Sequence, residues 1–154
     1  MTTTTVHLVR HGEVHNPERI LYGRRPGYRL SDRGEQMAAM VGEHLSGADI
    51  AVVRSSPLLR AQQTAAPIAA PHGLEIVTDQ RLIESGNRFE GHRIGHGEAK
   101  LNDPRNWRWF LNPFRPSWGE PYREQVARVT SVVHEVRAEA EGREAVLVLH
   151  QLPI

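Results

Sequence analysis

The strongest constraint in this sequence is a set of short apolar runs, each ending abruptly in arginine or histidine. Val6 to Val9 stops at Arg10-His11-Gly12, Ile50 to Val53 runs into Arg54 and the segment ending at Arg60, and Ala145 to Leu149 stops at His150. Runs of this length, rich in β-branched residues and bounded by polar segments, predict buried strands. Glu75 to Val77 predicts another. Between them lie helical patterns. Asp32 with Glu35 has capping-box spacing ahead of Met37, Met40, Val41, His44 and Leu45, and Gly47 closes that helix. Ser56-Pro57 predicts the N-cap and first residue of a second helix running toward Pro67 or Pro71. Tyr122, Val126, Val129, Val133 and Val136 share one face of a third, which begins at Pro121. Strands alternating with helices predict an α/β fold: a mainly parallel central sheet flanked by helices. The carboxyl ends of such strands lie along one edge, where ligands bind. Arg10-His11, Arg54 to Arg60 and His150 are therefore expected to meet.

The 154 residues suffice for one domain, 1–154. Lys and Arg number 19 against 18 Asp and Glu, so no global field draws the chain to nucleic acid or to a membrane, and neither is an expected partner. Any attraction for an anion must come from local arginine placement. With no cysteine, thiolate chemistry and disulfides are excluded. The threonine run at the N-terminus has neither the basic nor the apolar part of a signal peptide, and no apolar stretch reaches spanning length, so a cytoplasmic protein is expected.

The converging residue types suit phosphate chemistry. Guanidinium forks match phosphate oxygens, and each charge-assisted bond contributes about 1.5–3 kcal/mol. Arg10 and Arg60 are suited to that. A neutral imidazole between them can attack phosphorus, a second imidazole at His150 can bond the equatorial oxygens, and a carboxylic acid such as Glu84 can protonate the leaving oxygen.

Leu8-Val9-Arg10-His11-Gly12-Glu13, followed by Asn16, resembles the RHG signature of the histidine phosphatase superfamily, which includes the phosphoglycerate mutases. Leu30 to Gln36 is similar to its LSxxGxxQ element, and Ser56 to Ala65 to its SPLxRAxQTA helix start. Arg81 to Glu84, Gly119 to Val129 and Val146 to His150 resemble three further elements in the family's order. The resemblance implies a phosphoglycerate mutase-like fold, with His11 as phosphorylated nucleophile and Arg10, Asn16, Arg60 and His150 around the phosphate. It also implies Glu84 as proton donor, with Glu90 its rival, and no cofactor. A metal-independent phosphatase acting on a small phosphorylated metabolite or another phosphomonoester follows, ahead of mutase-type transfer or a non-catalytic phospho-ligand-binding relative. The segment from Glu84 to His150 looks short for an elaborated mutase lid, which favours hydrolysis.

The sequence departs from the family pattern at Leu149 and Gln151, which flank the second histidine, and it stops at Ile154, where relatives continue. The domain is therefore expected to lack the C-terminal helix and tail, leaving a sheet face for an oligomer or another element to cover. Residues 96–118 place three tryptophans among arginines and are expected to form a lid. Arg24, Arg25, Arg105 and Arg108 are candidates for choosing the non-phosphate part of the substrate. His7, His11 and His15, like His92 and His96, are spaced four apart as zinc ligands on a helix would be. The first set crosses a strand end and the second lies among glycines, so no metal site is expected.

Overall fold

The computed structural model describes residues 3–93 and 119–154. The expected lid, 96–118, with Arg105 and Arg108, lies outside them. Strands β1 (Thr5–Arg10), β2 (Ile50–Ser55), β3 (Ile76–Thr78) and β4 (Glu144–Leu149) form one sheet in the order β1-β4-β2-β3, with every pairing parallel. The helices are α1 (Asp32–Leu45), α2 (Leu59–Ala69) and α3 (Tyr122–Glu139).

β4 lies between β1 and β2, which explains its unbroken apolar run: Ala145 to Leu149 are all 0% exposed. The strand's alternation divides these side chains between two cores. Val146 and Val148 pack with Val53, Ala61, Ala65 and Ile68 on the α2 side. Ala145, Leu147 and Leu149 pack with Leu82, Val129, Val132 and Val136 on the α3 side.

The sequence reading is corrected at the sheet edges, where β1 and β3 are only partly buried with Leu8 42% and Val77 51% exposed, and at each helix. α1 is capped by Ser31, whose Oγ accepts from Gly34 N at 3.0 Å, one residue ahead of the expected box. The helix turns Gly34, Ala38, Gly42 and Leu45 inward and leaves Met37, Met40 and His44 exposed. Small residues win there because α1 and α2 approach closely. A Cβ on Gly42 would lie 2.4 Å from the Pro67 carbonyl oxygen. α2 starts at Leu59 without a side-chain cap, because the Ser56 hydroxyl is used elsewhere. On α3 the buried stripe is Gln125, Val129, Val132 and Val136, with Tyr122 and Val126 exposed.

Candidate active site

The strand ladder continues one residue past two strand ends. His11 N donates to Leu149 O at 3.1 Å and Ser56 N to Val148 O at 2.9 Å. These bonds set His11 and Ser56 on either side of His150, the residue that follows β4. The rings of His11 and His150 have centroids 5.0 Å apart at 61°.

His11 is 6% exposed, and its Nδ1 lies 2.8 Å from the carbonyl oxygen of Gly12. A carbonyl only accepts, so Nδ1 carries the proton and Nε2 keeps its lone pair. Arg60 Nε points its hydrogen at that lone pair across 3.4 Å. Burial, opposed by the Gly12 bond and aided by the charges of Arg60 and Arg10, lowers the His11 pKa to about 4. The imidazole is thus neutral at physiological pH. Gly12 is required by packing, since a Cβ there would meet Gly34 O at 2.5 Å, and its N–H donates to Thr64 Oγ1 at 3.1 Å.

Arg60, in the first turn of α2, is 1% exposed. It gives Nη2 to Gly23 O at 2.7 Å and lays its guanidinium 4.7 Å from the centre of the Tyr22 ring. Among the described residues no carboxylate forms an ion pair with it. Burial lowers its pKa. Glu84 and Glu90 act on it without forming an ion pair, and a buried cation without a close counter-charge is costly unless an anion completes the site. His150 is 0% exposed and holds Ser56 Oγ at 2.7 Å from Nε2, while its buried Nδ1 has no partner among the described residues. Burial, then the nearby cation Arg60, lowers its pKa to about 2.

Arg10, His11, Asn16 and Tyr22 line both lobes of a cleft, of about 470 and 330 Å³. Glu84 faces the smaller lobe. Burial raises its pKa, against the pull of the Ser85 N–H at 2.8 Å and of Arg60 and Arg10. The cleft therefore pairs an unprotonated imidazole with a carboxyl group biased toward its acid form, beside cations suited to a dianion.

The family profile of the histidine phosphatase superfamily (branch 1) matches residues 6–154. The chain belongs to the histidine phosphatase superfamily. An uncharacterized protein of Mycobacterium tuberculosis is 56% identical over 151 residues, covering 98% of this chain and 75% of the relative. Phosphoserine phosphatase 1 of Hydrogenobacter thermophilus is 32% identical over 154 residues, covering 96% and 71%. The mycobacterial glucosyl-3-phosphoglycerate phosphatase in complex with VO3 superposes with a TM-score of 0.77 at 26% identity, covering 95% of this chain and 75% of that one. Phosphatase and phosphoglycerate mutase names both occur among such relatives, and the fold is phosphoglycerate mutase-like.

Not every expected residue of this histidine phosphatase superfamily member is free to meet a phosphate. Asn16 lines the cleft, yet its amide bonds the Ile20 backbone twice, at 2.8 and 3.0 Å, closing the 16–20 turn. Glu90, the rival acid, packs against Gly23 and accepts from Asn87 N at 3.2 Å. Arg24 is bonded to Glu84 O and to Glu120. Arg25 is exposed, with Nη1 beside Gly91. Arg54, counted with the strand-end cations, pairs instead with Asp79, Glu135 and Glu139 on the α3 side. His7 pairs with Glu144, and among the described residues no group of three or more histidine or acidic side chains could hold a metal. Ser56, Tyr22 and Thr64 were not marked by sequence reasoning. A serine before proline reads as a cap, and the one available signal for Tyr22 was an aromatic residue in an otherwise polar loop. No helix among the described residues is long and apolar enough to cross a membrane.

Proposed function

We propose that the chain hydrolyses a phosphate monoester through a phosphohistidine on His11. The observation that carries this reading is the His11–Arg60 pair. A buried, neutral imidazole whose Nε2 keeps its lone pair stands 3.4 Å from a buried guanidinium that forms no ion pair among the described residues.

In the first step Nε2 attacks phosphorus as the bond to the ester oxygen breaks. Arg10, Arg60 and the Nδ1–H of His150 stabilise the equatorial oxygens. Glu84, whose pKa burial raises, gives its proton to the departing oxygen. In the second step the Glu84 carboxylate takes a proton from water, whose oxygen attacks the phosphohistidine. The P–N bond breaks, inorganic phosphate leaves and His11 returns to its neutral form. A phosphatase name on relatives at 26% and 32% identity supports the same reaction class.

The test uses an aryl phosphate, with acid-labile, base-stable phosphoryl label mapped after rapid quenching. Label on His11, phosphate release, turnover that survives chelation and loss of both signals in His11→Ala are expected. Label on another residue, phosphoglycerate interconversion without net phosphate release, or turnover in His11→Ala would overturn the proposal.

A further inference from the structure

We infer that Arg24 and Glu120 are positioning residues for the acid Glu84, coupling it to the phosphate cation Arg60 through the loop that carries Gly23 and Arg24. The inference rests on the reading of Glu84 as proton donor.

Three consecutive residues of the acid loop are each tied down. Arg24 Nε donates to Glu84 O at 2.6 Å. Gln125 Nε2, buried at the start of α3, donates to Ser85 Oγ at 2.9 Å. Glu120 N donates to Gly86 O at 3.2 Å. Glu120 is the hub of this set. Its Oε1 accepts from Arg128 Nε at 2.8 Å, and its Oε2 accepts from Arg24 Nη2 at 2.8 Å and Arg128 Nη2 at 3.0 Å. Arg128 in turn donates to the Arg81 carbonyl, at the 3-10 turn that leads into Glu84. A carboxylate bridging two guanidinium groups holds both in fixed geometry, since each fork has a defined plane.

Adjacent residues complete the link. Gly23 O accepts from Arg60, while Arg24 donates to Glu84 O. One dipeptide therefore references both the cation that grips phosphate and the carboxyl group that protonates the leaving oxygen. Misplacing a catalytic group by an ångström costs about 10²-fold, so the spacing of these two groups is where such a link matters. Arg24 acts through Glu84 here, and substrate choice is not needed to account for it.

The test is kcat/KM over a series of phosphate monoesters, from nitrophenyl leaving groups to alkanols. This parameter ends at the phosphorylation step, so hydrolysis of the phosphohistidine does not mask the result. An acid matters most for a poor leaving group, and its loss costs about 10²–10⁴-fold there. Glu84→Gln is the reference and is expected to steepen the leaving-group dependence. Arg24→Ala and Glu120→Gln are expected to lose about tenfold or more on alkyl esters and under about threefold on the nitrophenyl ester, with Arg24→Lys between them and the wild type. Equal losses on every ester, or none, beside a steep Glu84→Gln series would overturn the inference alone. A flat Glu84→Gln series would instead remove the acid assignment. Should Glu120→Gln fail to fold, Arg24→Ala decides, because that side chain lies on the surface.

Discussion

Ser56 Oγ lies 2.7 Å from Nε2 of His150, and both residues are 0% exposed. Leu58 N donates to the same hydroxyl, so its own hydrogen is free for Nε2. That bond leaves the ring proton on Nδ1, the atom with no partner among the described residues. Ser56 thereby fixes which imidazole nitrogen can donate to a phosphate oxygen. Ser56→Ala is expected to lower phosphorylation by about 10–100-fold, the value of one charge-assisted donor. Nitrogen NMR of His150 checks it: the proton should sit on Nδ1 in the wild type and be shared between the nitrogens in the variant.

The two buried histidines give acid sensitivity a definite sign. Their folded pKa values of about 4 and about 2 lie below the ordinary 6.5, so the unfolded chain binds more protons as pH falls. Stability is full above pH 6.5 and is lost as pH falls toward 4. His11 contributes on the order of 3 kcal/mol to that loss. The lowered carboxylates Asp79 and Glu135 act only below about pH 4.5. Glu84, raised by burial, acts above about pH 4.5 with the opposite sign but equally in wild type and variant, so comparison with a His11 variant across the window from about 6.5 to 4.5 isolates His11. Urea midpoints across it should fall in the wild type and fall less in His11→Asn. Equal slopes would refute the assignment.

How far the sequence carried the fold depended on what each signal encodes. The strands were legible because β2 and β4 are largely buried apolar runs with charged or polar ends, while β1, an edge strand with Leu8 42% exposed, was marked by its β-branched run alone; their parallel order placed residues 10–11, 54–60 and 150 along one edge. Helix faces were less legible. Periodicity marks large apolar residues, but α1 buries Gly34, Ala38 and Gly42, whose value is the space they leave for a neighbouring helix. In the site, Arg60 and Arg54 look alike in sequence. Which one meets His11 is settled by the parity of Arg54 on β2 and by its partners from α3. Ser56 and Tyr22 were illegible because their roles are relations to His150 and Arg60, residues distant in the chain.

Gly34 and Gly42 lie on one face of α1 but should fail differently when substituted. A Cβ on Gly42 meets the Pro67 carbonyl oxygen at 2.4 Å, backbone against backbone, between two helices. Gly42→Ala is expected to cost about 1–3 kcal/mol, as overpacking does, with kcat retained below the melting temperature. A Cβ on Gly34 would stand 2.0 Å from the carbonyl oxygen of Glu13, two residues past His11. Gly34→Ala should therefore reduce both thermal stability and turnover. Melting curves and aryl phosphatase rates, measured together on the two variants, separate the outcomes.

Arg54 tests whether a buried arginine near the strand ends must serve the site. Its guanidinium bonds Asp79 at 3.1 Å and Glu135 at 3.0 Å and pairs with Glu139. Arg81 shares Asp79 and Glu135 at 2.7 and 2.6 Å, so the cluster braces β2 and the turn after β3 against α3. Replacing Arg54 leaves Asp79 and Glu135 their bonds to Arg81, while Glu139, about half exposed, returns to water. Loss of one buried partner commonly costs 3–5 kcal/mol, and this compensation should bring Arg54→Met to about 1–3 kcal/mol. Its apolar side chain still fills the space beneath α3. Turnover should be unchanged, whereas Arg60→Met should lose turnover and keep most of its stability. A large loss of kcat in Arg54→Met at full folding would assign the anion site to the wrong arginine.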